Sequence, residues 1–392
     1  MRILIALTYY RPHTSGLTIY AERIARALSA RGHAVTVLTS HYRKDLPYEE
    51  TCDGVKIVRV PVLARISKGV IMPTFGLVAN KLVAENDWIQ LHLPQFDAAG
   101  IALRGRLLRK PTVVTYHCDL HMPPGILAWA ANQGVLFMND LTARFTHKVV
   151  TYTQDYADHS PYLSGFKKKI RVFSPPVVLP ETTEDAVSGF IAGNNPEGRS
   201  PVIGMAARLA TEKGVEVLLS ALPAILEKHP STRVLFAGPY KGIVGEEDYA
   251  RRLDPLIRKY EEAGVWKFVG ELNPEQMAAF YRAIDVLVLP SLNSTEAFGL
   301  VQIEAMLNGV PSVASNLPGV RQPVKRHGMG AIAEIGSAES LSNAVLKVLD
   351  ERGTLSPDRE KIRSEYDPDR VAAFYEELFT DISNEISGND KQ

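Results

Sequence analysis

The stretch "STEAFGLVQIEAM", residues 294–306, sets two carboxylates, Glu296 and Glu304, eight positions apart around the apolar Phe298, Gly299 and Leu300. A carboxylate accepts hydrogen bonds and donates none. A pair of them beside a helix start therefore repels phosphate and accepts from hydroxyls, such as those of a sugar or a ribose, with strong discrimination. The alternative gives Glu296 a capping role beside Ser294 and Thr295 and puts Glu304 on a solvent face. The apolar Val301, Ile303, Ala305 and Met306 around Glu304 weigh against a solvent face.

Three further positions carry chemistry. Arg208 follows the apolar run "PVIGMAA", and Lys213 precedes Gly214 and a helix. Two fixed cations near a helix N-terminus match the charge that builds on a departing diphosphate; the other reading is an exposed pair on an acidic half. Gly16 lies between the first apolar run and a helix, where backbone amides could meet a phosphate or simply turn. His117 opens "HCDLH" after "PTVVTY", with Cys118, Asp119 and His121 close by. That spacing suits no standard zinc site, and a hydrogen-bonding histidine in a polar cleft is the favoured reading over a metal ligand. No G-x-G-x-x-G follows a first strand, which argues against a nicotinamide dehydrogenase.

The elements that must hold these residues form a βαβ rhythm. "RILIALT", a helix in "GLTIYAERIARALSARG", "AVTVLTS", "KIVRVPV", "WIQLHLP" and "PTVVTYH" make up the first half. The rhythm breaks at a Pro-, Gly-, Asn- and acid-rich stretch and resumes from "PVIGMAAR" through "RVLFAG", "WKFVG", "DVLVLPS" and a helix from about Gly299 to Asn308. Strands that alternate with helices predict parallel sheets covered on both faces, and here two doubly wound domains rather than one. The expected divisions are a domain over 1–180, a linker over 181–200, a domain over 201–365, and a helix over 366–392 that braces the two. In such sheets ligands sit beyond the carboxyl ends of the strands, where every residue named above falls.

At 392 residues, 45% apolar and 22% charged, the chain suits two soluble cores. Two cysteines, Cys52 and Cys118, make neither a disulfide framework nor a metal spacing, and point to a reduced cytoplasm. No apolar run approaches the roughly 18 residues of a membrane span, nor does the N-terminus look like a signal peptide. The net charge of zero hides a split. Residues 1–180 hold 22 Lys+Arg against 12 Asp+Glu, and 181–392 hold 22 against 32, giving +10 and −10. The first half should attract anions.

"GMAARLATEKG", "FVGELNPEQMAAFYRAIDVLVLPS", "EAFGLVQIEAMLNGVPSVASNLPGV", "YYRPHTSGLTIYAERIARALSARGHAVTVLTS" and "TYHCD" together resemble the retaining nucleotide-sugar glycosyltransferases of family 4. The resemblance covers nearly the whole chain, is strongest from about 201 to 324, and implies the GT-B fold: two Rossmann-like α/β domains facing across a cleft, the first for acceptor and the second for donor. It implies transfer of a hexosyl-type sugar from a UDP or GDP sugar to a glycan or lipid-linked acceptor in envelope glycan or glycolipid biosynthesis. It makes Arg208 and Lys213 the diphosphate cations, Glu296 a donor-sugar contact and Glu304 the ribose acceptor. Gly16 becomes the loop closing on the diphosphate, and His117 the residue beside the reacting carbon. Backbone near Leu272 would meet the base, and amides of Phe298, Gly299 and Leu300 the sugar and phosphates. Arg208, Lys213, Glu296 and His117 form the expected catalytic group.

Two departures stand out: Pro239 and Tyr240 replace a frequent second glycine, and "FSPPVVLP" replaces the usual Asn-Gly-Val at the junction. No carboxylate stands out as a nucleophile, which favours front-face substitution. The one Asp-x-Asp, Asp367 to Asp369, is interrupted by Pro368 and precedes the last helix, so neither a metal nor any other cofactor is expected. Nucleic acid is not an expected partner. The basic half, with Arg65, Lys68 and Lys81 in "LARISKGVIMPTFGLVANKLV" and Trp129 and Phe137 in "GILAWAANQGVLFM", could lie on the anionic inner face of the cytoplasmic membrane; buried helices give the same composition. A nucleotide-sugar 2-epimerase and a non-catalytic nucleotide-sugar binding protein remain as rival readings.

Overall fold

The computed structural model describes residues 1–392 apart from 67–68, 121–125, 179, 356 and 390–392, with backbone alone for 66, 126–131 and 389. The chain forms two compact units, Met1–Pro176 with Tyr366–Gln392, and Val177–Glu365.

The first unit holds strands β1 (Arg2–Ala6), β2 (Ala34–His41), β3 (Glu49–Cys52), β4 (Val55–Pro61), β5 (Ala64–Ile66), β6 (Gly69–Ile71), β7 (Trp88–Leu93), β8 (Thr112–Tyr116), β9 (Lys148–Thr151) and β10 (Ile170–Val172). Helices α1 (Gly16–Ala30), α2 (Phe75–Glu85), α3 (Ala98–Leu107), α4 (Ile126–Phe145) and α5 (Gln154–His159) connect them. The main sheet runs β10-β9-β8-β7-β1-β2-β4-β3, parallel except for β3 against β4, while β5 and β6 pair as a separate antiparallel hairpin. Ile3, Leu4, Ile5 and Ala6 of β1 are all buried, and successive strand residues face opposite ways, so helices must cover both faces. Helix α1 supplies one cover through Tyr20, Ala21, Ile24, Ala25 and Leu28, and starts where the Ser15 side chain accepts from Thr18 N–H.

The second unit holds β11 (Val202–Ala206), β12 (Arg233–Ala237), β13 (Trp266–Gly270), β14 (Val286–Leu289), β15 (Ser312–Ser315) and β16 (Gly330–Ala333), all parallel in the order β13-β12-β11-β14-β15-β16. Its helices are α6 (Glu184–Asn194), α7 (Val215–Lys228), α8 (Glu247–Glu262), α9 (Pro274–Arg282), α10 (Leu300–Leu307), α11 (Gln322–His327), α12 (Ala338–Glu351) and α13 (Arg359–Glu365). The strand order reverses between β11 and β14, which opens the ligand crevice of such sheets at their carboxyl ends.

The expected divisions shift in two places. The units part at Pro176/Val177, and 181–200 is not a spacer: Thr183 caps α6, with Glu184 and Asp185 in its first turn. The final helix, α14 (Pro368–Asn389), is part of the first unit's core. Its Tyr375 hydroxyl meets Tyr20 at 2.8 Å and Thr115 at 2.6 Å, Phe379 stacks on Trp88, and Glu376 takes Arg31 at 2.7 Å and His33 at 2.6 Å. Asp367 and Asp369 serve this helix as well. Asp367 accepts from the Asp369 N–H, and Asp369 pairs with Arg31.

Candidate active site

In the second unit, the loops after β11 and β14 are fastened together. The Leu292 N–H donates to the Glu212 carbonyl at 2.9 Å, and Lys213 Nζ donates to Glu296 at 2.7 Å. Gly214 makes the approach possible: its φ is +66°, and a Cβ there would lie 2.1 Å from the Pro290 carbonyl oxygen. Gly299 repeats the device before α10, with φ +79° and a Cβ that would meet Leu289 at 2.4 Å. The other oxygen of Glu296 accepts from the Gly299 N–H at 3.0 Å, so this carboxylate also fastens the turn that leads into α10. At the start of α10 the Gln302 N–H donates to the Gly299 carbonyl at 3.0 Å, while the amides of Leu300 and Val301 have no intrahelical acceptor and lie at the positive end of the helix dipole.

Arg208 lies beside this pair and is bonded to Glu212, which is only 12% exposed. Burial pushes the Glu212 carboxyl up, but Arg208, its own amide and Lys213 outweigh it and leave the group below the ordinary range. Each cation thus carries a carboxylate partner. The four side chains sum to zero charge, yet the guanidinium and the ammonium keep further N–H donors. Glu212 escaped the sequence reading, although its i,i+4 spacing from Arg208 was visible.

Glu304 is half-buried on α10 and accepts from the Tyr281 hydroxyl at 2.8 Å, which excludes a solvent face. Phe298 is buried, and its carbonyl accepts from the buried Gln302 amide, which also donates to Val320 and pins the turn. Leu272 lies just beyond β13, before the capping box of Asn273 and Gln276 that starts α9. Tyr240 stacks on Phe268 at 4.1 Å, and the Pro239 carbonyl accepts from the Leu209 N–H.

In the first unit, Gly16 opens α1 beyond β1, and a Cβ there would meet nothing within 4 Å. His117 follows β8 but turns its ring inward. Its Nε2 meets His92 Nδ1 at 2.8 Å, its Nδ1 meets the Tyr152 hydroxyl, and it is 6% exposed. Burial, then His92, holds its pKa well below the ordinary value, and burial takes His92 to about 3; both rings are neutral at physiological pH. Asp119 is structural in this state, accepting from Tyr116 at 2.8 Å and Ser160 at 2.7 Å.

Residues 14–179 match the profile of Glycosyltransferase Family 4, and residues 189–366 match that of Glycosyl transferases group 1. The fold superposes on Anabaena HepE, solved in complex with UDP, with TM-score 0.74 and 19% identity over 97% of this chain and 100% of that one. The chain is a GT-B glycosyltransferase of family 4. Among relatives of this glycosyltransferase, the phosphatidyl-myo-inositol mannosyltransferase of Mycolicibacterium smegmatis is 25% identical, over 90% of this chain and 85% of its own length. The glycogen synthase of Mycobacterium tuberculosis is 26% identical, over 95% and 92%.

The glycosyltransferase has, among its described residues, no helix long and apolar enough to cross a membrane and no group of three His, Cys, Asp or Glu side chains arranged to hold a metal. Lys68, His121 and the side chain of Trp129 lie outside the described residues. Of the apolar stretch around α2, Phe75, Ala79, Leu82 and Val83 are buried while Leu63 and Leu77 are exposed, as is Phe137 on α4.

Proposed function

We propose that this glycosyltransferase moves a hexosyl group from a UDP or GDP sugar to a glycan or lipid-linked acceptor, with retention and without a metal. The observation that carries the reading is the Lys213–Glu296 pair, held beside the start of α10 where the strand order of the second sheet reverses. A diphosphate there receives N–H donors from Arg208, Lys213 and the first turn of α10, and Glu212 and Glu296 hold the two cations in position. The UDP in the HepE structure supports a nucleotide-sugar donor.

In this mechanism the bond from the anomeric carbon to the diphosphate oxygen breaks first, and its electron pair goes to the departing phosphate. The seat matches that growing charge. The acceptor hydroxyl adds to the same face of the oxocarbenium-like centre, and its proton passes to the departing phosphate oxygen. Glu296 exchanges part of its internal bonding for a sugar hydroxyl, Glu304 accepts from the ribose, and backbone at Leu272 meets the base. Both ring nitrogens of His117 are engaged internally, so its ring takes no proton in this step. The basic first half favours an anionic acceptor and peripheral attachment to an anionic leaflet.

The test is to incubate the protein with a panel of UDP and GDP sugars, with and without lipid and soluble glycan acceptors, followed by mass spectrometry and NMR of the anomeric proton. The expected result is nucleoside diphosphate release coupled to a glycoside of unchanged configuration. An epimerised donor formed without acceptor would instead assign a 2-epimerase, and absence of turnover with every pair would leave a binding protein.

A further inference from the structure

At the amino ends of β9 and β10, opposite the edge that bears Gly16 and His117, the first unit has a cavity of about 270 Å³. Its lining includes Arg106, Arg144, His147, Lys169 and Glu385. Arg106 and Arg144 end α3 and α4, His147 leads into β9, and Lys169 into β10.

The bonding around the cavity leaves positive charge in excess. Lys169 Nζ donates to the carbonyls of Ala143, Arg144 and Thr146 at 2.9, 2.8 and 2.7 Å, which uses its donors but not its charge. Lys148 is paired with Glu385 at 2.9 Å, and Arg144 Nε with Asp140 at 2.5 Å. Arg106 has no partner among the described residues. Four cations therefore face two carboxylates. Helix ends explain why basic residues sit here, since cations suit a carbonyl terminus. They do not explain an open cavity with an uncompensated guanidinium.

His147 adds a neutral donor. Its Nδ1 accepts from the Thr112 N–H at 3.2 Å, so in the neutral ring the proton is on Nε2. Burial first, then Arg106, lowers the pKa of both His147 and Lys169; Arg144 and Lys148 lower Lys169 further, while Glu385 acts on His147 in the opposite direction.

We propose that this cavity binds a phosphate group, with Arg106 and Arg144 as guanidinium donors and His147 Nε2–H as the neutral one. Guanidinium forks match phosphate oxygens, and the surrounding charge raises the local anion concentration. The phosphate could come from a soluble phosphorylated compound or from a lipid headgroup. Leu107 and Leu108, 72% and 49% exposed, adjoin Arg106 and would rest on a lipid surface in the second case.

The experiment uses the full chain, the variants Arg106→Gln and Arg144→Gln and their combination, and Lys347→Gln, on α12 of the second unit, as a basic control elsewhere. All are exposed, and thermal melts check that each is folded. Inorganic phosphate is titrated at constant ionic strength while the His147 ring resonances are followed by NMR; cosedimentation compares phosphatidylcholine vesicles with and without phosphatidylglycerol. A saturable His147 shift, weakened about tenfold or more in the double variant and unchanged in the control, supports the site. Anionic vesicle binding lost in the same variant identifies a headgroup; equal recovery on both vesicle types with an intact phosphate response identifies a soluble ligand. The proposal is overturned if neither probe responds in the parent protein, or if the double variant responds as the parent does.

Discussion

Gly214→Ala tests whether the fastening of the two loops builds the site. The added Cβ would lie 2.1 Å from the Pro290 oxygen and 3.1 Å from its carbon, against an ordinary carbon–oxygen contact of about 3.3 Å. The loops must therefore part by about 1 Å. That stretches the Lys213–Glu296 contact from 2.7 Å and the Leu292–Glu212 contact from 2.9 Å beyond hydrogen-bonding range. A left-handed alanine costs about 1–2 kcal/mol and the lost backbone bond about 1 kcal/mol, together roughly 2–3 kcal/mol. In a unit of this size that lowers the calorimetric transition by roughly 4–12 °C. Turnover should fall by about 10², the usual consequence of misplacing a catalytic group by 1 Å. Gly16→Ala is the contrasting variant. A Cβ meets nothing there, so stability should stay level or rise by about 0.5 kcal/mol. A Gly214→Ala protein with unchanged melting and turnover would show that the contact between these two loops does not build the site.

Glu304→Ala should chiefly weaken donor binding, by about tenfold or more, with little change in turnover at saturation; an unaltered donor Kd by calorimetry would remove the ribose assignment. Incubation with a chelator followed by gel filtration should leave turnover unchanged, since the proposed charge compensation comes from side chains and amides; activity lost to the chelator and restored by a divalent ion would overturn that part. Hydrogen bonding from Arg31, outweighing burial and reinforced by His33, holds the Glu376 carboxyl at about 2 against an ordinary 4.5. A depressed carboxylate stabilises the fold above its unfolded value, and that stability is lost as pH falls from about 4.5 toward 2. Glu376→Gln should therefore flatten the loss of melting temperature across this window, and a parallel acid limb in both proteins would contradict the pairing.

Much of the architecture was legible because parallel strands buried on both faces read as continuous apolar runs. "RILIALT", "RVLFAG" and "DVLVLPS" each fall on a strand, and "GVEVLLSALPAILEKH" on α7. Short edge elements such as β3, with its exposed "EETC", carry no such pattern. Helix α6 was obscured by the prolines and glycines around it, although Thr183 followed by Glu184 and Asp185 is a helix start. The place of α14 depends on Tyr20 meeting Tyr375 across 355 positions, which no local signal encodes. At the site, the clustering of Arg208, Lys213 and Glu296 followed from strand ends and one helix start. The residues that hold them and their fellow candidates were not legible: Glu212 on Arg208, Tyr281 on Glu304, and His92 and Tyr152 on His117 act through contacts made only in the folded chain.

The most direct measurement is calorimetric binding of UDP and GDP, beside uridine and guanosine, to the parent protein and to Arg208→Ala with Lys213→Ala. The preferred diphosphate should lose about 10² or more in affinity while its nucleoside binds as before, because the two cations read only the phosphates. Equal diphosphate affinity in parent and variant, or no diphosphate binding to the parent at all, would contradict it.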